Sequence, residues 1–244
     1  VLFSDDSRAA AGDEALTAHY SLHAIVGEKV GAWFTFVSEN HVRRNLQSLD
    51  GYRLFIAPQL AYSSKEFAGD LIRRVEEGAT LVALDPDTFT WDIESGSLAA
   101  ERSRLLGLGE CAKRPAAELR PSKAGAARFK GVGNLVLRPM RNVGNVNNAR
   151  ILKVPDGATV LYTYPDGAPG AYSKKLGKGE VIVFGAMPFH DCELAIKSSG
   201  WEKLFAALAD ERGIKRDLPV WRFLFPATGG DPKIFEPLVK LPVR

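Results

Sequence analysis

The stretch from Tyr52 to Pro86 constrains the fold of this chain more than any other. "YRLFIAP" is a short apolar run closed by Pro58. "SSKEFAGDLIRRVEEG" follows, and Phe67, Leu71, Ile72 and Val75 recur at helical spacing on one face. Ser63 and Glu66 make a capping-box pattern at its start, and Gly78 suits its end. "ATLVALDP" is a second apolar run closed by Pro86. Two strands apolar on both faces, joined by an amphipathic helix, read as a parallel crossover inside a covered sheet.

The flanking sequence extends this pattern. "VLF" runs into "SDDS" (Ser4 to Ser7), and a helix is expected from Gly12 to Gly27 with Ala15, Leu22, Ile25 and Val26 on one face. "AWFTFV" (Ala32 to Val37) reads as an aromatic strand. The region from about Ser97 to Asn148 is irregular, with a short helix at "SLAAERSRLLG" and one strand candidate, "NLVLRP". It reads as a long surface excursion, too thin in apolar residues for a core of its own. Toward the end, three apolar runs separated by "PDGAPG" and "LGKGE" read as an antiparallel meander. A last helix carries Trp201, Leu204, Phe205 and Leu208 on one face, with Ser199 and Glu202 as its capping box and Gly213 as its stop. "LPVWRFLFP" beyond it begins another strand or a following domain.

The 244 residues fit one large α/β domain, or one domain plus a small appendage. The net charge of +3 is small, and the most basic stretch, "CAKRPAAELRPSKAGAARFK", reads as a solvated loop, so no nucleic-acid partner is expected. No apolar run is long enough to span a membrane, and no membrane partner is expected. Cys111 and Cys192 give neither a disulfide framework nor a metal-ligand spacing, and the compartment stays open. The chain starts at Val1, already strand-like, so it reads as a piece cut from a longer polypeptide.

Two quoted segments carry a family resemblance. "LDGYRLFIAPQLAYSSKEFAGDLIRRVEEGATLVALDP" resembles the central unit of class I glutamine amidotransferase-like domains, and "DGAPGAYSKKLGKGEVIVFGAMP" resembles their closing part. The likeness is greatest to the non-catalytic version in multidomain glycoside hydrolases, the trimerisation domain of family 42 β-galactosidases. It spans roughly residues 1–213, leaving 214–244 as a C-terminal extension or the start of a following domain. It implies a flavodoxin-like three-layer α/β/α sandwich with a mostly parallel central sheet and a C-terminal antiparallel meander. It also implies partners that are other domains or subunits of the same enzyme, with carbohydrate as a further ligand.

The residues themselves argue against amidotransferase catalysis. That chemistry needs a Cys on a strained strand-to-helix elbow, a His base and a carboxylate that orients it. The elbow position here is Asp85-Pro86-Asp87, with neither a Cys nor a Gly. "PFHDCE" retains the family's His as His190, but Cys192 stands where the carboxylate belongs and Glu193 is one place late. Catalytic residues are therefore expected to be absent, and no cofactor or metal is called for. The candidate ligand-facing residues are Asp5, Asp6, Asp85, Asp87, Trp91, His190 and Glu193. The first four follow presumed parallel strands, where open α/β sheets bind ligands. Trp91 could stack on a sugar ring, while the Asp and Ser residues serve equally well as helix caps. His19 and His23, four apart, suit a metal by spacing alone, but no third ligand accompanies them. The alternative to a non-catalytic module is a free-standing small hydrolase or sugar-binding protein using the carboxyl end of the sheet.

Overall fold

A computed structural model describes residues 1–92, 94, 96–107, 111–137, 149–188 and 199–217. The chain opens with β1 (Leu2–Phe3), α1 (Asp5–Ala11) and α2 (Asp13–Leu22), which continues as a π-helical segment (His23–Lys29). Next come β2 (Val37–Ser38), α3 (Glu39–Arg43), β3 (Leu54–Ala57), α4 (Lys65–Glu77) and β4 (Thr80–Ala83). The middle holds α5 (Ala99–Leu105), β5 (Ala112–Lys113), β6 (Glu118–Pro121), α6 (Lys123–Arg128), β7 (Leu135–Val136) and β8 (Arg150–Ile151). β9 (Thr159–Thr163), β10 (Pro169–Leu176), β11 (Gly179–Phe184) and α7 (Trp201–Glu211) follow.

The main sheet has seven strands in the order β3-β4-β11-β10-β9-β6-β7. β3, β4 and β11 pair in parallel; every other pairing in it is antiparallel. β1 and β2 form a separate parallel pair beside β3. The sheet is thus mixed, and the expectation of a mostly parallel one is corrected. The reason lies in the middle of the chain. β6, expected as surface excursion, pairs onward from β9, and β7, within the expected strand "NLVLRP", pairs with β6 and extends the sheet.

Strand alternation divides the core in two. Ile56, Val82, Leu84, Ile182 and Phe184 face one cluster, completed by Leu22, Ile25, Val26 and the buried stripe of α7. Phe55, Ala57, Leu81, Ala83, Val181 and Val183 face the other, completed by Phe67, Leu71, Ile72 and Val75 of α4 and Leu105 of α5. Period-two strands feeding both faces require helices on both faces, and the chain supplies them. α6 lies so close to β9 that a Cβ on Gly125 would sit 1.9 Å from the Leu161 carbonyl oxygen.

Local expectations fare unevenly. α4 starts as expected, but its N-cap is Ser64, whose hydroxyl accepts from Phe67 N–H. Ser63 instead turns its hydroxyl to Glu39. At α7 the Glu202 carboxylate reaches back to Ser199 N–H, while Gly200 occupies the cap itself. The aromatic run 32–37 forms strand only at Val37, and the Trp33 indole, 56% exposed, donates instead to Asp217 at 2.7 Å. The helix expected from Gly12 to Gly27 is α2 with its π-helical continuation, Gly12 being its N-cap, and a separate α1, capped by the Ser4 hydroxyl accepting from Ser7 N–H, precedes it. Among the described residues, no helix is long and apolar enough to cross a membrane.

Candidate functional site

The carboxyl ends of β1, β3 and β4 converge, and their loops are laced together by backbone and hydroxyl hydrogen bonds. The Ser4 and Ser7 hydroxyls donate to the Tyr62 carbonyl at 2.9 and 2.7 Å, and Tyr62 N–H donates back to Ser7. Tyr62 bridges to Trp91, and Ser63 N–H donates to the Trp91 carbonyl. Phe89 N–H donates to the Leu60 carbonyl. The Asp85–Trp91 loop is thereby fixed to the loop after β3.

Within this frame the acidic residues have internal partners. Asp85 is buried, and its carboxylate accepts Asp87 N–H at 2.9 Å, closing an Asx turn. The Asp87 carboxylate pairs with Arg150 at 3.0 Å, and Arg102 donates to the Pro86 carbonyl. Two guanidiniums thus hold the turn. Asp92 accepts Lys65 N–H at 2.8 Å, and Glu39 accepts Ser64 N–H at 2.6 Å. The N-terminus of α4, a natural anion site, is therefore filled by the protein's own carboxylates.

Glu39 was not singled out in the sequence, because its partners lie 24 and 25 residues away. It is 3% exposed, and burial pushes its carboxyl above the ordinary range against the Ser64 and Ser63 hydrogen bonds. Only its place straight after a strand and Ser38 hinted at it. Asp5 is exposed and Asp6 half-buried, both in the first turn of α1. They stand on the other side of β3 from Asp85 and Asp87, so the four do not form one carboxylate cluster. Trp91 is 48% exposed at the rim. His190, Cys192 and Glu193 lie outside the described residues.

The geometry after β4 is not that of a nucleophile elbow. Among the described non-glycine residues, positive φ occurs at Asn45 and Phe89, and at none of Asp85, Pro86 and Asp87. An elbow holds its nucleophile on a sharp, strained turn. The nearby Cys111 is half-buried, and burial pushes its ionisation up, away from thiolate. His19 is buried, with Nε2 on the Leu2 carbonyl, which can only accept, while His23 faces Glu28 at 3.8 Å. No group of three His, Cys, Asp or Glu residues suited to a metal occurs among the described residues.

A cavity of about 450 Å³ lies elsewhere, by the amino end of β3. Its walls include Val26, Trp33, Phe34, Tyr52, Leu54 and Phe205. Of the ligand-facing candidates, the described ones, Asp5, Asp6, Asp85, Asp87 and Trp91, do not line it. Its size is that of a ligand pocket, but its walls are mostly apolar, and Arg53 and Thr35 among them make no acid–base pair.

No family model and no curated protein matches this chain. Solved structures do. The β-galactosidase of Rahnella sp. R3 is similar with a TM-score of 0.63 at 17% identity, over 88% of this chain and 31% of that one. The β-galactosidase of the Antarctic haloarchaeon Halorubrum lacusprofundi has a TM-score of 0.59 at 20% identity, over 87% and 30%. The GH42 β-galactosidase of G. stearothermophilus has a TM-score of 0.56 at 16% identity, over 84% and 26%. This chain spans less than a third of each of them. At such identities the likeness is one of fold.

Proposed function

We propose that this chain is a non-catalytic, amidotransferase-like module of a carbohydrate-active enzyme of the β-galactosidase type. Residues 1–213 form the module, a flavodoxin-like variant, and 214–244 its extension. It serves assembly between domains or subunits, and its carboxyl-end loops border a neighbour's substrate cleft. The observation that carries this reading is the turn after β4. Where an amidotransferase places its nucleophile, Asp85 closes an Asx turn on Asp87, and Arg102 and Arg150 clamp it. The fold-level likeness to part of much longer β-galactosidase chains agrees with it.

The test is turnover by the isolated chain, with an aryl β-galactoside and, separately, with glutamine plus hydroxylamine. No rate above buffer is expected. Turnover that disappears in Asp85→Asn or His190→Ala, with folding intact, would replace the module by the small-hydrolase reading. The exposed ring of Trp91 favours one further role, stacking on a sugar. Quenching of indole fluorescence by galactose or lactose, lost in Trp91→Ala, would establish it.

A further inference from the structure

The apolar cavity by the amino end of β3 is open to one side, and residues 213–217, the last of the described C-terminal stretch, lie at its lip. Gly213 and Ile214 are part of the lining. One residue further on, the Lys215 carbonyl accepts Trp33 N–H at 3.2 Å. The Asp217 carboxylate then accepts the Trp33 indole N–H at 2.7 Å. Two bonds to the same residue hold residues 215–217 against the rim. Around that rim Trp33 and Tyr52 expose aromatic surface, and Phe205 and Ile56 also line the cavity. Exposed aromatic surface at the mouth of an apolar groove suits a docking contact.

The sequence that follows Asp217 is "LPVWRFLFP", dense in large apolar side chains. It begins where the groove begins. A tethered segment meets its site at a high effective concentration, so even modest apolar contacts favour it over a separate partner. We propose that the groove is the docking site of the chain's own Leu218–Phe225 segment, with Trp221 and its neighbouring phenylalanines as the anchors. This inference does not depend on the module reading.

Photo-crosslinking in the full chain tests it. Thr35 lines the groove and is exposed, so Thr35→p-benzoylphenylalanine places a reactive group there without disturbing the core. Tyr52→p-benzoylphenylalanine gives a second position if the first variant folds poorly. Expected is a cross-link within one chain, mapped by mass spectrometry to residues 218–225. A cross-link between two chains would assign the groove to a second copy, and no cross-link to 218–225 would leave it to another ligand. Either result overturns the proposal. An apolar dye gives an independent readout. The chain carrying Trp221→Ala, Phe223→Ala and Phe225→Ala should take up several-fold more anilinonaphthalene sulfonate than the native chain. Equal uptake means the groove was open throughout.

Discussion

The Asp85 carboxylate accepts the backbone N–H of Asp87 at 2.9 Å, so the first turn after β4 is closed by the chain itself. Asp85→Ala removes that bond from a buried site and should cost about 1–2 kcal/mol of stability. Asp85→Asn keeps a side-chain oxygen in place and should lose much less. Urea denaturation of the two variants checks this. Equal losses would show that the charge, rather than the turn, matters at this position.

Glu39 joins α3 to the start of α4 through Ser63 and Ser64. Glu39→Ala leaves the Ser64 N–H buried without its acceptor, and a loss of about 1–3 kcal/mol is expected. Burial raises the Glu39 carboxyl above its ordinary value of 4.5. The folded state therefore holds the proton more tightly than the unfolded one. Its contribution is complete below 4.5 and declines as pH rises through the folded value. Glu39→Gln should flatten that part of the stability profile. An unchanged slope above pH 4.5 would dismiss Glu39 as its source.

The opposite sign holds at Glu180. Burial alone would raise this carboxyl, but Arg128, bound through both terminal nitrogens at 2.6 and 2.8 Å, outweighs burial and holds it below the ordinary range. Arg212 adds a further contact at 3.1 Å. This contribution is present above 4.5, the unfolded value, and is lost as pH falls through the lower folded one. Arg128→Ala leaves a nearly buried carboxylate short of its main partner and should destabilise by about 3 kcal/mol. A thermal melt indistinguishable from the native chain's at pH 7 would contradict it.

In a chain that begins at Val1, the terminal amine donates to the Thr35 carbonyl, and burial lowers it from 8.0 to about 5. The folded state then excludes a proton that the unfolded state binds. Stability should fall as pH drops from 8 toward 5, by about 4 kcal/mol at most. Acetylating Val1, or extending the chain before it, should abolish that dependence. Persistence of the same slope after acetylation would trace it to another group.

Much of this fold was legible because its strongest signals are local. The helix stripe of Phe67, Leu71, Ile72 and Val75, flanked by apolar strands, fixes its own secondary structure and its buried face. The adjacent serines at the start of α4 could not be ranked locally, because a distant carboxylate, Glu39, claims Ser63. The 32–37 run has the composition of a strand, but a groove wall needs the same aromatic residues. β6 is short, charged and ends in Pro121, so its place in the sheet follows from pairing with β9, which no local pattern encodes. Asp5 and Asp85 follow β1 and β4 closely in the structure, as the strand pattern placed them in the sequence. The partners of the acidic residues, Arg150 for Asp87 and Lys65 N–H for Asp92, come from tertiary contacts.

The most direct measurement is the size of the native polypeptide that carries this sequence, read by intact-mass spectrometry of the natural product. A module of a glycoside hydrolase requires a polypeptide far heavier than the 26.6 kDa of this chain, with a catalytic domain attached. A native product of about 26.6 kDa, complete in itself, would contradict the proposal.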